Sequence, residues 1–316
     1  MKKFILLALA IFVVSLSGCT EKETLPSSGE IKNLMAGSAD NLSSYGFKIS
    51  DIQTQSIKDL AKNNITNQFN ITTRSVQTEV DGSVDLAKRR AMANVSTTTT
   101  IQSPTGSPNI MKSSGREFNI ENTTYTIRDG GNWTQLKDPR SADEIWAEGR
   151  YNLIKSRADS IKNQSDMVVI GSESVDGKDC YKIKLITDDQ IYSGNLYNML
   201  TSVLFPFVPQ VNQTDLINAS KIETLVWVEK DSHMPKKYQN TLSMTIVPNI
   251  IGVYNMSDGS VQSFNQSMKM VEVSLNMEST ESYNGFNKPV EIAVPNDALN
   301  TTPIVPTPLQ TITIPG

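Results

Sequence analysis

Long stretches of the chain alternate between apolar and polar residues, which is typical of β-strands with one buried face. The longest alternating segment covers residues 261–282, which we predict to form one strand. The dipeptides Asp81-Gly82 and Asp176-Gly177 stand between other alternating segments and predict tight hairpin turns. Strands joined by such short turns run antiparallel. The pattern therefore predicts an antiparallel sheet with one polar face and one apolar face.

Three other segments place their apolar residues at helical spacing. The first covers residues 29–44. The second begins at Ser141, where Glu144 completes a capping box, and we predict that it continues as one helix. The third covers residues 189–205, and the apolar segment 205–209 that follows is predicted to be a loop. The predicted fold class is α+β, with about three helices covering the apolar face of the sheet.

The N-terminus has the three parts of a secretory signal: two lysines, an apolar segment at residues 4–14, and small residues before Cys19. The apolar segment is shorter than the roughly 20 residues that span a bilayer. The run Leu16-Ser17-Gly18-Cys19 resembles a lipobox, in which Cys19 receives a diacylglyceryl group and becomes the mature N-terminus. An ordinary signal peptide with a chance cysteine, or an uncleaved anchor, is the alternative. We predict an extracytoplasmic protein, lipid-anchored to the outer face of the cytoplasmic membrane.

The rest of the chain is predicted to form one large domain. We divide the sequence into a signal peptide (1–18), the lipidated cysteine with a polar tether (19–28), the domain (29–298) and a Pro/Thr-rich tail (299–316). The formal net charge is −4, and loss of the two signal-peptide lysines makes it −6. This charge argues against a nucleic-acid partner, since phosphate-binding surfaces cluster Lys and Arg. The basic run Lys88-Arg89-Arg90 is expected at a solvated strand or turn edge.

Asn-x-Ser/Thr sequons are unusually frequent. The chain has 26 asparagines, and Ser and Thr make up 62 of 316 residues, so about five sequons would occur by chance. Twelve are present, at Asn41, Asn64, Asn70, Asn94, Asn122, Asn132, Asn163, Asn212, Asn218, Asn255, Asn265 and Asn300. This excess predicts N-glycosylation, and together with the lipobox it favours an archaeal cell-surface protein. The alternative is a solvated surface that is merely rich in Asn, Ser and Thr.

The sequence shows no set of residues typical of an enzyme. If Cys19 carries a lipid, Cys180 has no partner for an intrachain disulfide, and its alternating surroundings predict a buried, inert thiol. His233 is the single histidine, too few for a His-based zinc site, and it lies in a predicted turn. Gly-x-Ser-x-Gly, His-Glu-x-x-His, Walker A and Gly-x-Gly-x-x-Gly motifs are absent. We predict a non-enzyme with no catalytic residues, no metal and no cofactor.

Four segments resemble, in order, the hairpin landmarks of the LolA-like superfamily of lipoprotein and lipid carriers, in its LppX/LprG-like branch. They are residues 125–134 (YTIRDGGNWT), 169–183 (VIGSESVDGKDCYKI), 226–237 (VWVEKDSHMPKK) and 287–292 (NKPVEI), and the resemblance covers residues 30–298. Each segment alone shows only the common strand–turn–strand pattern, and the resemblance rests on the occurrence of all four in the family's order. The bacterial carrier LolA is soluble and shuttles between membranes, whereas this chain has its own predicted anchor, so the sorting role is not carried over.

The resemblance implies a strongly curved antiparallel sheet, an unclosed half-barrel whose concave face is covered by helices. It also implies an apolar cavity between sheet and helices that holds acyl or isoprenoid chains. The predicted cavity-lining residues are Leu196, Met199, Leu200, Val203, Leu204, Val226, Val228, Val271, Val273 and Leu275. Flexible methionine side chains suit such a cavity, and the chain has 12. The alternative for the same residues is a filled core.

Two functions follow as hypotheses. The first is a membrane-anchored lipoprotein that binds or carries lipid, acyl or isoprenoid chains in an apolar cavity. The second is a cell-surface interaction or sensor module that binds a protein partner on the same scaffold. The apolar segment 205–209 and the sequons favour an exposed, partner-facing surface.

Overall fold

The structure is a computed structural model that describes residues 25–62, 69–147, 151–163, 166–186, 189–255 and 260–304. The predicted signal peptide, Cys19 and the end of the predicted tail from residue 305 lie outside these described residues.

The described residues form fifteen strands in two sheets. The strands are β1 (Ser44–Lys62), β2 (Phe69–Asp85), β3 (Arg90–Gln102), β4 (Asn109–Ile120), β5 (Thr123–Arg128), β6 (Thr134–Lys137), β7 (Asp166–Val175), β8 (Lys178–Ile186), β9 (Phe207–Gln210), β10 (Ser220–Glu229), β11 (Pro235–Ile246), β12 (Asn249–Tyr254), β13 (Val261–Met268), β14 (Val271–Asn284) and β15 (Pro303–Ile304). Twelve form the main sheet, in the order β15-β6-β5-β4-β3-β2-β1-β14-β11-β10-β8-β7. The other three form a small sheet, in the order β13-β12-β9.

Six helices accompany the sheets in the described part of the chain. They are α1 (Ser28–Asp40), α2 (Ala142–Ala147), α3 (Leu153–Asn163), α4 (Asp189–Leu204), α5 (Gln213–Asn218) and α6 (Asn296–Leu299). The main sheet is large, curved and not closed, so the predicted α+β class is confirmed. Neighbouring strands are antiparallel, except that β15 runs parallel to β6 and so joins two residues of the predicted tail to the sheet.

Both faces of the main sheet carry apolar clusters. Helices α1 and α3 pack over β7, β8 and β10, and helices α4 and α5 pack over β11 and β14. On the opposite face, the segment before and within α6 covers Phe118 and Tyr125 through Ile292 and Ala298. Strand register explains the two faces. Phe118 pairs with Met92, so both point to one face, whereas the adjacent residue Ala91 points to the other face and packs with residues of α3.

The main sheet ends at β7 on one side and at β15 on the other. The register of β7 with β8 shifts between Val169 and Gly171, which is the signature of a β-bulge. Val168 and Ile170, on either side of Val169, are exposed.

The two Asp-Gly dipeptides have different roles. Asp176-Gly177 forms the predicted turn between β7 and β8, and its φ values of 50° and 72° are those of a two-residue type I′ turn. Asp81-Gly82 lies inside β2, so the prediction of a hairpin there was wrong. A Cβ atom at Gly82 would lie 2.3 Å from the Met92 carbonyl oxygen and 2.5 Å from the Phe47 ring. The glycine permits this close approach, and the chain turns at residues 86–89 instead.

The prediction of one strand over residues 261–282 was also wrong. The segment forms β13 and β14, which belong to different sheets. The ladder breaks at residues 269–270, where the Met270 carbonyl accepts a hydrogen bond of 2.9 Å from the Leu60 amide of β1. This bond starts the pairing of β14 with β1, while β13 pairs with β12. A change of partner, rather than a turn residue, divides the segment.

The three predicted helices begin where expected, but the second is divided into two helices. Ser141 and Glu144 form the predicted capping box, with the Glu144 carboxylate accepting from the Ser141 amide at 2.8 Å. The segment that follows is two helices, α2 and α3, rather than one, because the Asn152 side chain caps α3 by accepting from the Lys155 amide at 2.9 Å. The predicted loop at residues 205–209 contains strand β9, which pairs with β12.

Candidate functional site

A large apolar cluster lies between the main sheet, the small sheet and helices α4 and α5. We call it the interior cluster. Its buried members are Leu196, Leu200, Leu204, Leu216, Leu242, Met244, Ile246, Ile250, Val273 and Leu275. Partly buried apolar side chains pack around them, among them Met199, Val203, Phe207, Phe264, Met270, Val271 and Met277.

Register explains why the main sheet turns these side chains to one side. Leu242, Met244 and Ile246 of β11 stand opposite Met277, Leu275 and Val273 of β14, respectively. Directly opposite residues of an antiparallel pair point to the same face, so these six form one apolar surface. Helix α4 supplies the facing surface because Leu196, Leu200 and Leu204 recur every four residues.

The ten predicted cavity residues divide between two clusters. Eight of them belong to the interior cluster or pack against it: Leu196, Met199, Leu200, Val203, Leu204, Val271, Val273 and Leu275. Val226 and Val228 of β10 instead pack beneath α1 and α3, with Ile31, Met35 and Ile161. The structure therefore does not bring β10 opposite α4 at these two positions. The predicted gap beside Leu200 and Val273 remains a prediction, and both side chains are fully buried.

Sequence reasoning missed the contribution of the small sheet and of α5. Ile250, Phe264 and Leu216 come from β12, β13 and α5, none of which was assigned to the site. A signal was present, because the short apolar run at residues 250–254 lies between Pro248 and Asn255. Apolar runs bounded by such residues are typical of buried strands.

A buried polar group lies at the other end of the main sheet. Arg157 of α3 donates two hydrogen bonds to the Glu281 carboxylate of β14. One comes from Nε at 3.1 Å, and the other comes from a terminal guanidinium nitrogen. The Tyr283 hydroxyl also donates to Glu281. Burial alone would lower the pKa of Arg157, but the hydrogen bond and charge of Glu281 raise it. Burial, and then the Glu281 charge, raise the pKa of Tyr283.

Tyr45 extends this polar group to the start of α3. Its hydroxyl donates to the Tyr151 carbonyl at 2.9 Å and accepts from the Leu153 amide at 3.1 Å. Burial raises the pKa of Tyr45. Arg157, Tyr45 and Tyr283 all keep their protons at neutral pH, so these contacts fasten α3 to the sheet rather than move a proton.

Cys180 is buried, as predicted, and its thiol contacts the Lys178 carbonyl at 3.5 Å. Burial, and then the Glu229 charge, raise the pKa of the thiol from 9.0 to about 11. We expect no reaction of Cys180 with a maleimide at pH 8 until the protein is unfolded in urea, because thiolate and access are both lacking. Mass spectrometry of the labelled chain checks this, and rapid native labelling would contradict it.

The same raised pKa gives a pH dependence. The unfolded thiol ionises near pH 9 and the folded thiol near pH 11, so its contribution to stability is complete below pH 9 and is lost as the pH rises through 11. The raised pKa values of Tyr45 and Tyr283 act in the same direction. Cys180→Ser is therefore expected to flatten, but not abolish, the alkaline fall in the free energy of unfolding. An unchanged slope would contradict the assignment.

The other singled-out residues lie at turns. His233 has a φ of 56° and follows β10, and Lys88 and Arg89 lie in the turn between β2 and β3, where Arg89 pairs with Asp143. Across the ranges that the structure describes, no three His, Cys, Asp or Glu side chains gather at a metal-sized site. Nor is any described helix long and apolar enough to cross a membrane.

Most of the described sequon asparagines are exposed: Asn41, Asn132, Asn163, Asn212, Asn218, Asn255 and Asn300. Asn70, Asn94 and Asn122 are half-buried. The amide nitrogen of Asn94 donates to Asp81 at 3.0 Å, and that of Asn122 donates to the Asp138 carbonyl at 3.1 Å. A glycan would be attached to that nitrogen, so partial burial and these hydrogen bonds both disfavour glycosylation of Asn94 and Asn122. Asn64 and the side chain of Asn265 lie outside what the structure describes.

Comparison with known proteins gives distant likenesses. No family model and no curated protein matches the chain. LprF from Mycobacterium bovis is 11% identical, with a TM-score of 0.36, over 87% of this chain and 98% of LprF. The Mycobacterium tuberculosis lipoprotein LppX is 11% identical, with a TM-score of 0.36, over 84% of this chain and 98% of LppX. A DUF1329 family protein from Desulfovibrio piger is 10% identical, with a TM-score of 0.21, over 84% and 93%. Likeness at this level assigns the chain to no family and to no ligand.

Proposed function

We propose that the protein is an extracytoplasmic lipoprotein, anchored through Cys19, that binds acyl or isoprenoid chains in the interior cluster. The observation that carries this proposal is the construction of the interior cluster from separate layers. Two sheets and two helices meet there through aliphatic and methionine side chains. Three apolar residues of the small sheet and its entry, Phe205, Tyr254 and Val261, are exposed.

Layered construction suits a chain-like ligand. The small sheet satisfies its ladder hydrogen bonds within itself, as does α4, so a shift between layers changes side-chain contacts first. Met199, Met270 and Met277 lie half-buried around the cluster, and their flexible side chains reshape at small cost. Each methylene of a bound chain that leaves water contributes about 0.8 kcal/mol. An acyl chain therefore gains enough to hold such layers apart.

Native mass spectrometry tests the proposal directly. Protein purified without detergent is expected to carry one lipid beyond the group on Cys19, and extraction with organic solvent should identify its chains. A folded protein with no added mass, whether fresh or after incubation with lipid vesicles, would refute lipid binding. The hypothesis of a protein-binding module predicts the opposite pattern, a stoichiometric protein partner with no lipid in the interior.

The anchor has its own prediction. Cys19→Ser is expected to leave unprocessed precursor or to release the protein from the membrane fraction, because a thioether cannot form on serine. Fractionation and an intact-mass measurement check this, with Cys180→Ser as the control that keeps wild-type anchoring. A Cys19→Ser protein that is processed and anchored as wild type would refute the lipid anchor.

A further inference from the structure

Three exposed apolar side chains of the small-sheet region form one patch, which we call the apolar rim: Phe205, Tyr254 and Val261. They are 55%, 42% and 44% exposed, respectively. The Phe205 and Tyr254 rings stack with centroids 6.1 Å apart, and Val261 is the strand partner of Tyr254. The Tyr254 amide also donates to the Pro206 carbonyl at 2.9 Å. Fixed, clustered and exposed apolar groups of this kind mark a contact surface.

The small sheet that carries the rim is joined to one end of the main sheet. Residues 247–248 connect the end of β11 to β12, and residues 269–270 connect β13 to the start of β14. The end of β11 and the start of β14 are neighbours, since Ile246 pairs with Val273. The rim therefore belongs to the end of the main sheet marked by this pair.

Helix α1 begins towards this same end. It runs antiparallel to α3, because Ile31 near its start shares a cluster with Ile161 near the end of α3, and Asp40 at its end pairs with Lys155 near the start of α3. The Leu153 amide at the start of α3 donates to the Tyr45 hydroxyl, and Arg157, one turn later, pairs with Glu281, which lies nearer to Val273 along the sheet. Helix α3 therefore runs towards Val273. Helix α1 thus runs from the side of the small sheet towards the opposite end.

The chain before α1 is short. Leu25, the first described residue, lies six positions after Cys19, and at roughly 3.5 Å per position the two are at most about 21 Å apart. A lipid on Cys19 would therefore hold the end of the domain that carries the rim close to the bilayer.

We propose that the apolar rim lies in the bilayer interface when the protein is anchored. The inference rests on the proposed Cys19 anchor and adds a second membrane contact, made by protein side chains. Tyrosine and other aromatic rings favour the boundary between headgroups and acyl chains. The anchor supplies a high effective concentration, so three side chains suffice where they would not bind a membrane alone.

Two labelled variants of the full-length, lipidated protein test this. Val261→Cys places an environment-sensitive fluorophore on the rim, and Leu136→Cys places it on β6. Leu136 is a matched control because it is 46% exposed and lies at the opposite end of the main sheet, level with Tyr45. The successive strand partners that connect Leu136 to Tyr45 are Thr124, Asn119, Ala91 and Val84. Buried Cys180 is not labelled under native conditions. Both proteins are placed in phosphatidylcholine–phosphatidylglycerol vesicles that contain spin-labelled lipid.

The rim label is expected to shift to the blue and to be quenched at least about twofold more than the control label. Phe205→Ser combined with Tyr254→Ser should remove most of this difference. Equal quenching of the two labels would overturn the proposal, as would a rim label shielded only when a protein partner is present. Native mass spectrometry of the same proteins separates the two ideas: cargo without a quenching difference refutes the rim alone, and a quenching difference without cargo refutes lipid binding alone.

Discussion

Leu200→Trp is expected to lower the amount of co-purifying lipid several-fold while the protein still folds. Leu200 is fully buried in the middle of α4 and faces Val273 and Leu275 across the interior cluster. A larger ring there occupies the space that we propose for a lipid chain. If a ligand and not protein fills that space, the ring displaces the ligand and costs little stability. Native mass spectrometry gives the bound lipid, and urea unfolding gives the stability.

Ile154→Trp is the matched control for this change. Ile154 is equally buried but belongs to α3 and to a different cluster, with Tyr45 and Met234. Overpacking there is expected to cost about 1–3 kcal/mol of unfolding free energy and to leave the bound lipid unchanged. If Leu200→Trp unfolds the protein as readily and the wild type carries no lipid, the interior cluster is a filled core.

Arg157→Met is expected to lower the free energy of unfolding by about 3 kcal/mol. Glu281 is 5% exposed and accepts both hydrogen bonds of the guanidinium, so removal of Arg157 leaves a buried carboxylate whose remaining donor among the described residues is Tyr283. The figure lies at the low end for a broken buried pair because the Arg157 side chain is 40% exposed and water would reach part of the site. The stacking of the guanidinium over Tyr238, at 4.8 Å, is lost as well.

Two further variants show whether burial is the cause. Lys184→Met breaks an ion pair with Glu223 in which both side chains are nearly half exposed, and it should cost at most about 0.5 kcal/mol. Arg157→Met combined with Glu281→Leu removes both charges and should recover part of the loss. Urea titrations measure all four proteins. Equal losses for Arg157→Met and Lys184→Met would contradict a special role for the buried carboxylate.

Short-range patterns predicted the elements of this fold well where local chemistry decides them. The capping box of Ser141 and Glu144 and the turn at Asp176-Gly177 formed as predicted because each needs only residues within three positions. Asp81-Gly82 is the same dipeptide, yet its glycine lies inside a strand and allows the Phe47 ring and the Met92 carbonyl to approach it closely. That approach involves three strands, and no local pattern distinguishes it from a turn.

The sequence predicted the helix side of the candidate site and one of the strands opposite it, but not the other strands. The spacing of Leu196, Leu200 and Leu204 identifies the apolar side of α4, but it does not say which strands lie opposite. Val226 and Val273 both show the alternation of half-buried strands, and only the sheet order places one beneath α1 and the other beneath α4. The small sheet was missed because β13 and β14 read as one strand until their partners are known.

The bulge in β7 matters for a protein concentrated on a surface. Copies anchored to one membrane would share an orientation, so their edge strands would meet far more often than in free solution. An edge strand offers unpaired backbone groups to any neighbour, and exposed Val168 and Ile170 would add apolar contact. The register shift beside Val169 breaks the edge into two short pieces and twists it. In an anchored protein, this break in the edge would oppose strand-to-strand polymerisation of neighbouring copies.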